Sequence, residues 1–388
     1  MVKTRIFSDL AFFKHILNRS VFVIMHHDFT KRTIKFYKLN ILIEVYMNYR
    51  ELSTILGVSP ATISLVVNNK PGVSEKTRAE VISQLKARGL YTPSNKTGPI
   101  IDIENIAFVV FKKDGCILDD HPFFLLLMQD LANISFANTF KVLILHVDKR
   151  LDLTHQLDAL KALDVSGLII FATEMEDADL KYFESIKSPI VYIDNDFSTF
   201  NVNTVAIDNT MGTYQAMSHL KSLGHKHICC IKSTNVISSF KEREEGFKKA
   251  AIALGFEKFD ITEARFSEEG SYVDFMGYLK NTPKSKMPTA FVADDDIIIA
   301  GALRAFKECG YNVPRDVSLI GFSDRPVCCM TEPNLSTISV DRFGLTSEAL
   351  SSLEDLVREG DLRLYTCKKR ISTTFVARGS TGKAAKRD

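Results

Sequence analysis

From residue 106 onward, short apolar runs alternate with helical stretches, and this alternation constrains the fold more than any other feature. IAFVVF (106–111), KVLILHV (141–147), VSGLIIF (165–171) and PIVYID (189–194) read as buried strands separated by helices, the first of them starting at Pro122. After NVNTVAID (201–208) the series starts again. A helix over 211–223 leads to HICCIKS (227–233), a helix over 241–254 to PTAFVAD (288–294), and a helix over 297–309 to VSLIGFS (317–323). Strands that are apolar throughout and separated by helices pack as parallel sheets covered on both faces. Two such series imply two doubly wound α/β lobes, with a ligand cleft at the carboxyl ends of the strands. The expected division puts lobe 1 at about 106–207 plus 339–380 and lobe 2 at about 208–338.

The 388 residues exceed one ordinary domain, and 45% hydrophobic with 25% charged content suits a soluble, cytoplasmic chain. No apolar run approaches the ~18 residues that a membrane span needs. The seven cysteines include the adjacent pairs Cys229-Cys230 and Cys328-Cys329 and no CxxC spacing, so reduced thiols are expected, without disulfides or a zinc site. No GxSxG, no P-loop, no GxGxxG after a strand and no metal-spaced His pair is present. His225 and His227 flank Lys226 but have no third ligand nearby. No catalytic residue, metal or cofactor is therefore expected. An α/β enzyme with a regulatory head stays open as the competing class.

The charge is unevenly spread. Residues 1–46 carry eight Lys/Arg against three Asp/Glu, and residues 47–97 seven against three, so the rest of this +2 chain is acidic. A small basic head on a large acidic body suits a nucleic-acid module joined to something else. Within the head, Leu52, Ile55 and Leu56 mark a helix that Gly57 ends. Ser59 is a good N-cap and Pro60 fits the first helical position, so a second helix runs to about Val67. Ile63, Val66 and Val67 form its inner face. Ser74 then caps a third helix carrying Val81, Ile82 and Leu85. Two short helices joined by a tight, Gly-containing turn make a helix-turn-helix, whose second helix enters the major groove.

GVSPATIS, VVNNKPGVSEKTRAEV and ARGLYTPS in the head resemble the LacI/GalR family of bacterial transcription regulators. The resemblance continues through HLKSLGHKHI, REEGFKKA, PTAFVADDDIIIAGALRAFKECGYNVPRDVSLIGFSD and TTFVARGST, and covers nearly everything after residue 46. It implies an all-α helix-turn-helix head over 47–93, a linker over 94–105, and a periplasmic-binding-protein-like body over 106–380. Ser59, Thr62, Ser64 and Asn68 would reach phosphates, while Pro60, Ala61 and Leu65 would face base edges. Leu65 departs from the family, which usually has Arg there; a leucine offers only apolar contact, for example to a thymine methyl. The linker departs too: Gly98-Pro99 breaks helices and no Ala-x-x-Leu is present, so the family's hinge helix is not expected in its usual form.

The same resemblance, together with strand-end position, picks out effector contacts. Phe123 and Phe124 fall where the family sets rings against the effector, and Tyr272 where it often has an aromatic. Asp194 ends a strand, Arg243 precedes Gly246 by three, and Asp295 and Asp296 end AFVADDD, Asp295 being the better ligand. Carboxylates and an Arg would pair with sugar hydroxyls while rings cover the apolar face. Plainer readings stand beside these: core packing for the two Phe, a turn for Asp194, a solvated helix position for Arg243 and an N-cap for Asp296. Ser323 replaces the family's usual Asp in GFSD. The implied function is a homodimeric repressor that binds double-stranded operator DNA. Its effector would be a sugar or sugar phosphate, with a nucleobase as the runner-up.

Residues 1–46 are rich in Phe, Ile, Lys and Asn and have no clean period and no small-residue cleavage site. A basic arm or a separate subdomain is open, but MNYRELSTILGVS at Met47 reads like a complete start of a helix-turn-helix chain, and Glu44-Val45 can be encoded by GAGGTN, which resembles a ribosome-binding site. A mis-assigned start is the preferred reading. The intact mass of the native protein is expected to correspond to a chain beginning at Met47; a mass that includes residues 1–46 would refute this.

Overall fold

The computed structural model describes residues 58, 62, 66, 73–87, 103–119, 123–138, 140–359 and 365–385. They divide into two compact units. One holds the residues up to Ile106 with Met128–Ile144, and the other holds Ala107–Leu127 with the chain from Leu145 onward.

In the first unit Thr62 and Val66 are helical, and Val66 is buried. Helix α1 (Glu75–Ala87) begins where its cap requires, because the Ser74 hydroxyl accepts the Thr77 amide at 3.2 Å. Arg78 donates to the Val66 carbonyl at 3.3 Å and Val81 is buried, which ties α1 to the segment read as the recognition helix. Ser59, Pro60, Ala61, Ser64, Leu65 and Asn68 lie outside the described residues, as do residues 1–46 and most of the linker.

The body elements run in chain order as β1 (Asn105–Lys112), α2 (Phe123–Asn138), β2 (Lys141–Asp148), α3 (Leu153–Lys161), β3 (Gly167–Phe171), β4 (Ile190–Ile193) and β5 (Thr204–Ile207). Then come α4 (Asn209–Ser222), β6 (His227–Ser233), α5 (Ser238–Ala253), β7 (Lys258–Ala264), α6 (Glu268–Asn281), β8 (Ala290–Ala293), α7 (Asp296–Glu308), β9 (Ser318–Ser323), the short α8 (Val327–Met330) and β10 (Ser336–Val340). Last are α9 (Arg342–Glu359), β11 (Lys368–Ile371) and β12 (Thr373–Val376). They form two six-stranded sheets, ordered β11-β5-β4-β3-β1-β2 and β12-β10-β9-β8-β6-β7. In the first, β3, β4, β5 and β11 are parallel neighbours. In the second, β7, β6, β8, β9 and β10 are parallel and β12 closes the edge antiparallel, Thr337 opposite Val376.

Each expected strand is present with bounds shifted by a few residues. The lobe division needs correction. Lobe 1 regains only α9 and β11, while β10 and the chain from β12 onward belong with the second sheet. TTFV is apolar enough for either sheet edge, and only its pairing with β10 decides. The chain therefore passes between the sheets at three single residues, Asp208, Asp341 and Ser372, with α9 packed on β3, β4 and β5. The Asp208 amide donates to the Ile371 carbonyl at 2.9 Å, binding the first crossing to the third.

Each lobe has its own core. In the first, Phe111, Phe183, Tyr192 and Phe197 pack edge to face. In the second, Phe275, Phe291 and Phe306 lie with ring centroids 5.2 to 5.8 Å apart. Gly301 lets α7 meet α6 closely, since a Cβ there would lie 2.3 Å from the Glu268 carbonyl. No helix among the described residues is long and apolar enough to cross a membrane. All seven cysteines are free thiols; Cys229, Cys230 and Cys328 are buried, and Cys116 and Cys329 are exposed. Phe306→Ala is expected to cost about 3–5 kcal/mol through the cavity it leaves, measured as a lower urea midpoint of the body.

Candidate effector site

A pocket opens between the carboxyl ends of the two sheets. Its polar side chains are Thr173, Asp194, Ser239, Arg243, Asp295, Ser323 and Arg325. Its apolar walls include Ile117, Leu118, Phe171, Ile237, Phe240 and Phe266. Four expected residues thus come together: Asp194, Arg243, Asp295 and Ser323. Two others, Phe123 and Phe124, open α2, and the described structure covers only their backbone. Tyr272 is not among the lining residues. It sits on α6, its hydroxyl donating to Glu308 Oε2 at 2.7 Å and its ring 3.9 Å from the Arg304 guanidinium. The ring lies over Arg304 of α7 and is not in the cleft.

Asp194 follows β4 with φ 67° and is buried. The Thr173 hydroxyl donates to its Oδ2 at 2.5 Å, yet burial pushes its carboxyl up to about 6. On the other wall, three consecutive aspartates end β8, and all are buried. Asp294 accepts the Ser233 amide at 2.8 Å, and burial lifts it to about 7. Asp295 is the N-cap of α7, taking the Ile297 amide at 3.0 Å. Asp296 is therefore the first helical residue and not the cap. It accepts the Thr337 hydroxyl at 2.6 Å and the Arg325 amide at 2.7 Å, while burial and the neighbouring Asp295 push it to about 7. A Cβ at Gly321 would meet the Asp296 carboxylate at 2.1 Å, so only glycine leaves room for it.

Arg243 is buried, not solvated. Its Nε donates to Asn209 Oδ1 at 2.9 Å, Nη1 donates to the Asp294 carbonyl, and its guanidinium lies 3.7 Å from the Phe322 ring centroid. Burial pulls it below the ordinary Arg value. Arg325 grips Asp295, with Nε 2.9 Å from Oδ1 and Nη2 3.0 Å from Oδ2. Ser323 adds a 3.4 Å bond to the same carboxylate. Backbone strain gathers here: besides Asp194, Ser323 (φ 107°) and Asp324 (φ 56°) hold positive φ without being glycine. Asp324 leaves the pocket to pair with Arg378 at 2.6 Å.

Sequence reasoning missed Arg325, Thr173, Ser239, Phe240, Phe266, Ile117 and Leu118. The strand-end rule applied to β3 and β9 points to Thr173 and Arg325, each two residues past its strand, whereas Ser239 lies in α5, six residues beyond β6. Ile117 and Leu118 depend on Glu174, whose carboxylate accepts four backbone amides of their loop, from Lys113, Gly115, Ile117 and Leu118 at 2.8 to 3.0 Å. Asp114, Cys116 and this Glu174 lie within metal-ligand reach of one another, but the four amides already use both Glu174 oxygens. His225 bonds to Thr289 at 2.8 Å and His227 to Asp260 at 2.6 Å, both structural contacts.

Glu242 on α5, in the second lobe, holds Arg370 of β11, in the first, with two bonds of 2.8 Å. Arg370 also reaches Asp196 at 3.0 Å. Glu242 accepts the Asn209 side-chain amide at 2.8 Å, and Asn209 accepts from Arg243. One polar chain thus runs from the pocket to the crossing between lobes.

Two parallel-sheet lobes around a cleft of buried charges and rings define a ligand-binding body of the periplasmic-binding type. Residues 217–381 match the model of the periplasmic binding protein-like domain. The HTH-type transcriptional regulator DegA of Bacillus subtilis (strain 168) is 30% identical over 296 residues, 74% of this chain and 85% of that one. Among solved structures, a LacI family transcriptional regulator from Enterococcus faecium with bound ribose is 25% identical, with TM-score 0.59 over 72% of this chain and 99% of that one. The lac repressor dimer bound to operator and the anti-inducer ONPF shares the fold at 23% identity, with TM-score 0.62 over 85% of this chain and 98% of that one. The chain belongs to the LacI/GalR family: it is a ligand-responsive transcriptional regulator, not an enzyme.

The buried acids set a pH dependence. Asp194, Asp294 and Asp296 bind protons more tightly folded than unfolded, so the folded state holds more protons between about pH 4 and 7 and loses stability as pH rises through that window. The unliganded body is expected to have a higher unfolding midpoint at pH 5 than at pH 7.5, and Asp294→Asn to flatten the decline, as differential scanning fluorimetry would record.

Proposed function

We propose that the protein is a homodimeric repressor that binds an operator through its helix-turn-helix heads and is controlled by a sugar in the pocket. The observation that carries this is the polar chain from Arg243 through Asn209 and Glu242 to Arg370. It joins the ligand-facing guanidinium to an ion pair that spans the lobes beside a single-residue crossing. A ligand that moves Arg243 alters that ion pair, and with it the angle between lobes. Only a difference in affinity between the two lobe arrangements is needed for coupling. The ribose-bound and operator-bound relatives support the same division of labour.

In this reading Ser59, Thr62, Ser64 and Asn68 hold phosphates, and Pro60, Ala61 and Leu65 face the bases. Asp194, Arg243, Asp295 and Ser323 hold the effector, and Phe123 and Phe124 supply rings against it. Tyr272 takes no part. Selection from random duplexes is expected to yield a near-palindrome, since two heads read two half-sites. Deleting residues 47–93 should abolish its retention in a gel shift. Glu242→Gln should keep operator binding and effector binding while reducing the effector's shift in operator affinity at least fivefold. Unchanged retention by the deletion variant, or an unaltered response in Glu242→Gln, would refute the proposal.

A further inference from the structure

We infer that the pocket takes an acidic sugar, a polyol whose carboxylate or phosphate group seats against Arg243 and Arg325. This rests on the effector-controlled reading above and narrows it. The open hydrogen-bonding groups of the pocket set this preference. Asp295 stands where a carboxylate could receive neutral sugar hydroxyls, but its capacity is already used. It accepts the Ile297 amide, the Ser323 hydroxyl and two nitrogens of Arg325. What remains open is mostly donors. Among the described residues Arg243 Nη2, Arg325 Nη1 and the Ser239 hydroxyl have no hydrogen-bond partner, and all three residues are at least nine-tenths buried.

Charge points the same way. Burial lowers Arg243 most, Asp295, Asp294 and Asp194 favour its charge, and Arg325 opposes it, so an anion seated between the two guanidiniums relieves that opposition. A guanidinium with two open N–H groups matches the geometry of a carboxylate or phosphoryl oxygen pair. The opposite wall has different chemistry. Asp194 has one oxygen engaged by Thr173 and the other open, so it accepts a hydroxyl. The rings of Phe240 and Phe266, 5.4 Å apart, cover apolar faces. The pocket is thus two-ended, an oxyanion seat at one end and a hydroxyl acceptor at the other.

The test uses the full chain and matched probes in calorimetric titration: glucose against glucuronate and glucose 6-phosphate, and ribose against ribose 5-phosphate, with inorganic phosphate alone. At least one acidic member is expected to bind ten times tighter than its neutral partner or more, and the carboxylate and phosphate arms show which oxyanion is used. Arg325→Lys should retain the preference for the acid, and Arg325→Gln should lose it while gaining affinity for the neutral sugar, because Asp295 is freed. Neutral sugars binding as tightly as the acids in the unaltered chain would overturn the inference, as would no binding by any probe. Neutral binding that still shifts operator affinity leaves the regulator reading intact. Binding of an acidic probe without any shift in operator affinity overturns that reading and leaves the oxyanion seat standing.

Discussion

Buried charge governs this molecule. Three aspartates in a row, Asp294, Asp295 and Asp296, end a central strand with almost no exposure, and a fourth, Asp194, faces them. Ionised carboxylates cannot stay below the surface unless each is matched. The match comes from distant segments: Ser233 for Asp294, Arg325 for Asp295, Thr337 for Asp296 and Thr173 for Asp194. These partners fix the ends of β3, β6, β9 and β10 relative to β4 and β8. The pocket is the space they leave.

The same arrangement ties the pocket to the crossing between the lobes. Arg243 is held by a side-chain acceptor, a backbone carbonyl and a ring, none of which is a full opposite charge. It is the least neutralised cation of the cleft. Its Asn209 partner is the first residue of α4, directly after the crossing at Asp208, and also touches Glu242. The guanidinium is thus two hydrogen bonds from the ion pair of Glu242 with Arg370, beside a crossing that is a single residue long.

Much of this was legible in the residues. Strand-end logic located Asp194, Asp295 and Ser323, because a strand's last residue has nowhere to go but the sheet's edge. It went wrong where the deciding fact lay across the chain. Tyr272 has the right chemistry, but the packing of α6 on α7 at Gly301 turns it toward Arg304 and Glu308. Arg325 was passed over because a charged residue after GFSD reads like an ordinary loop cation until Asp295 is seen beside it.

By itself the sequence determined the two-lobe α/β architecture and the family, because alternation and motifs are written in consecutive residues. Only the tertiary structure decided that β12 returns to the second sheet, that Asp295 is engaged by Arg325, and that a polar chain links pocket to crossing. Each of these depends on register between segments from about thirty to more than a hundred residues apart. No local pattern encodes such a distance, because it is set by how whole sheets stack.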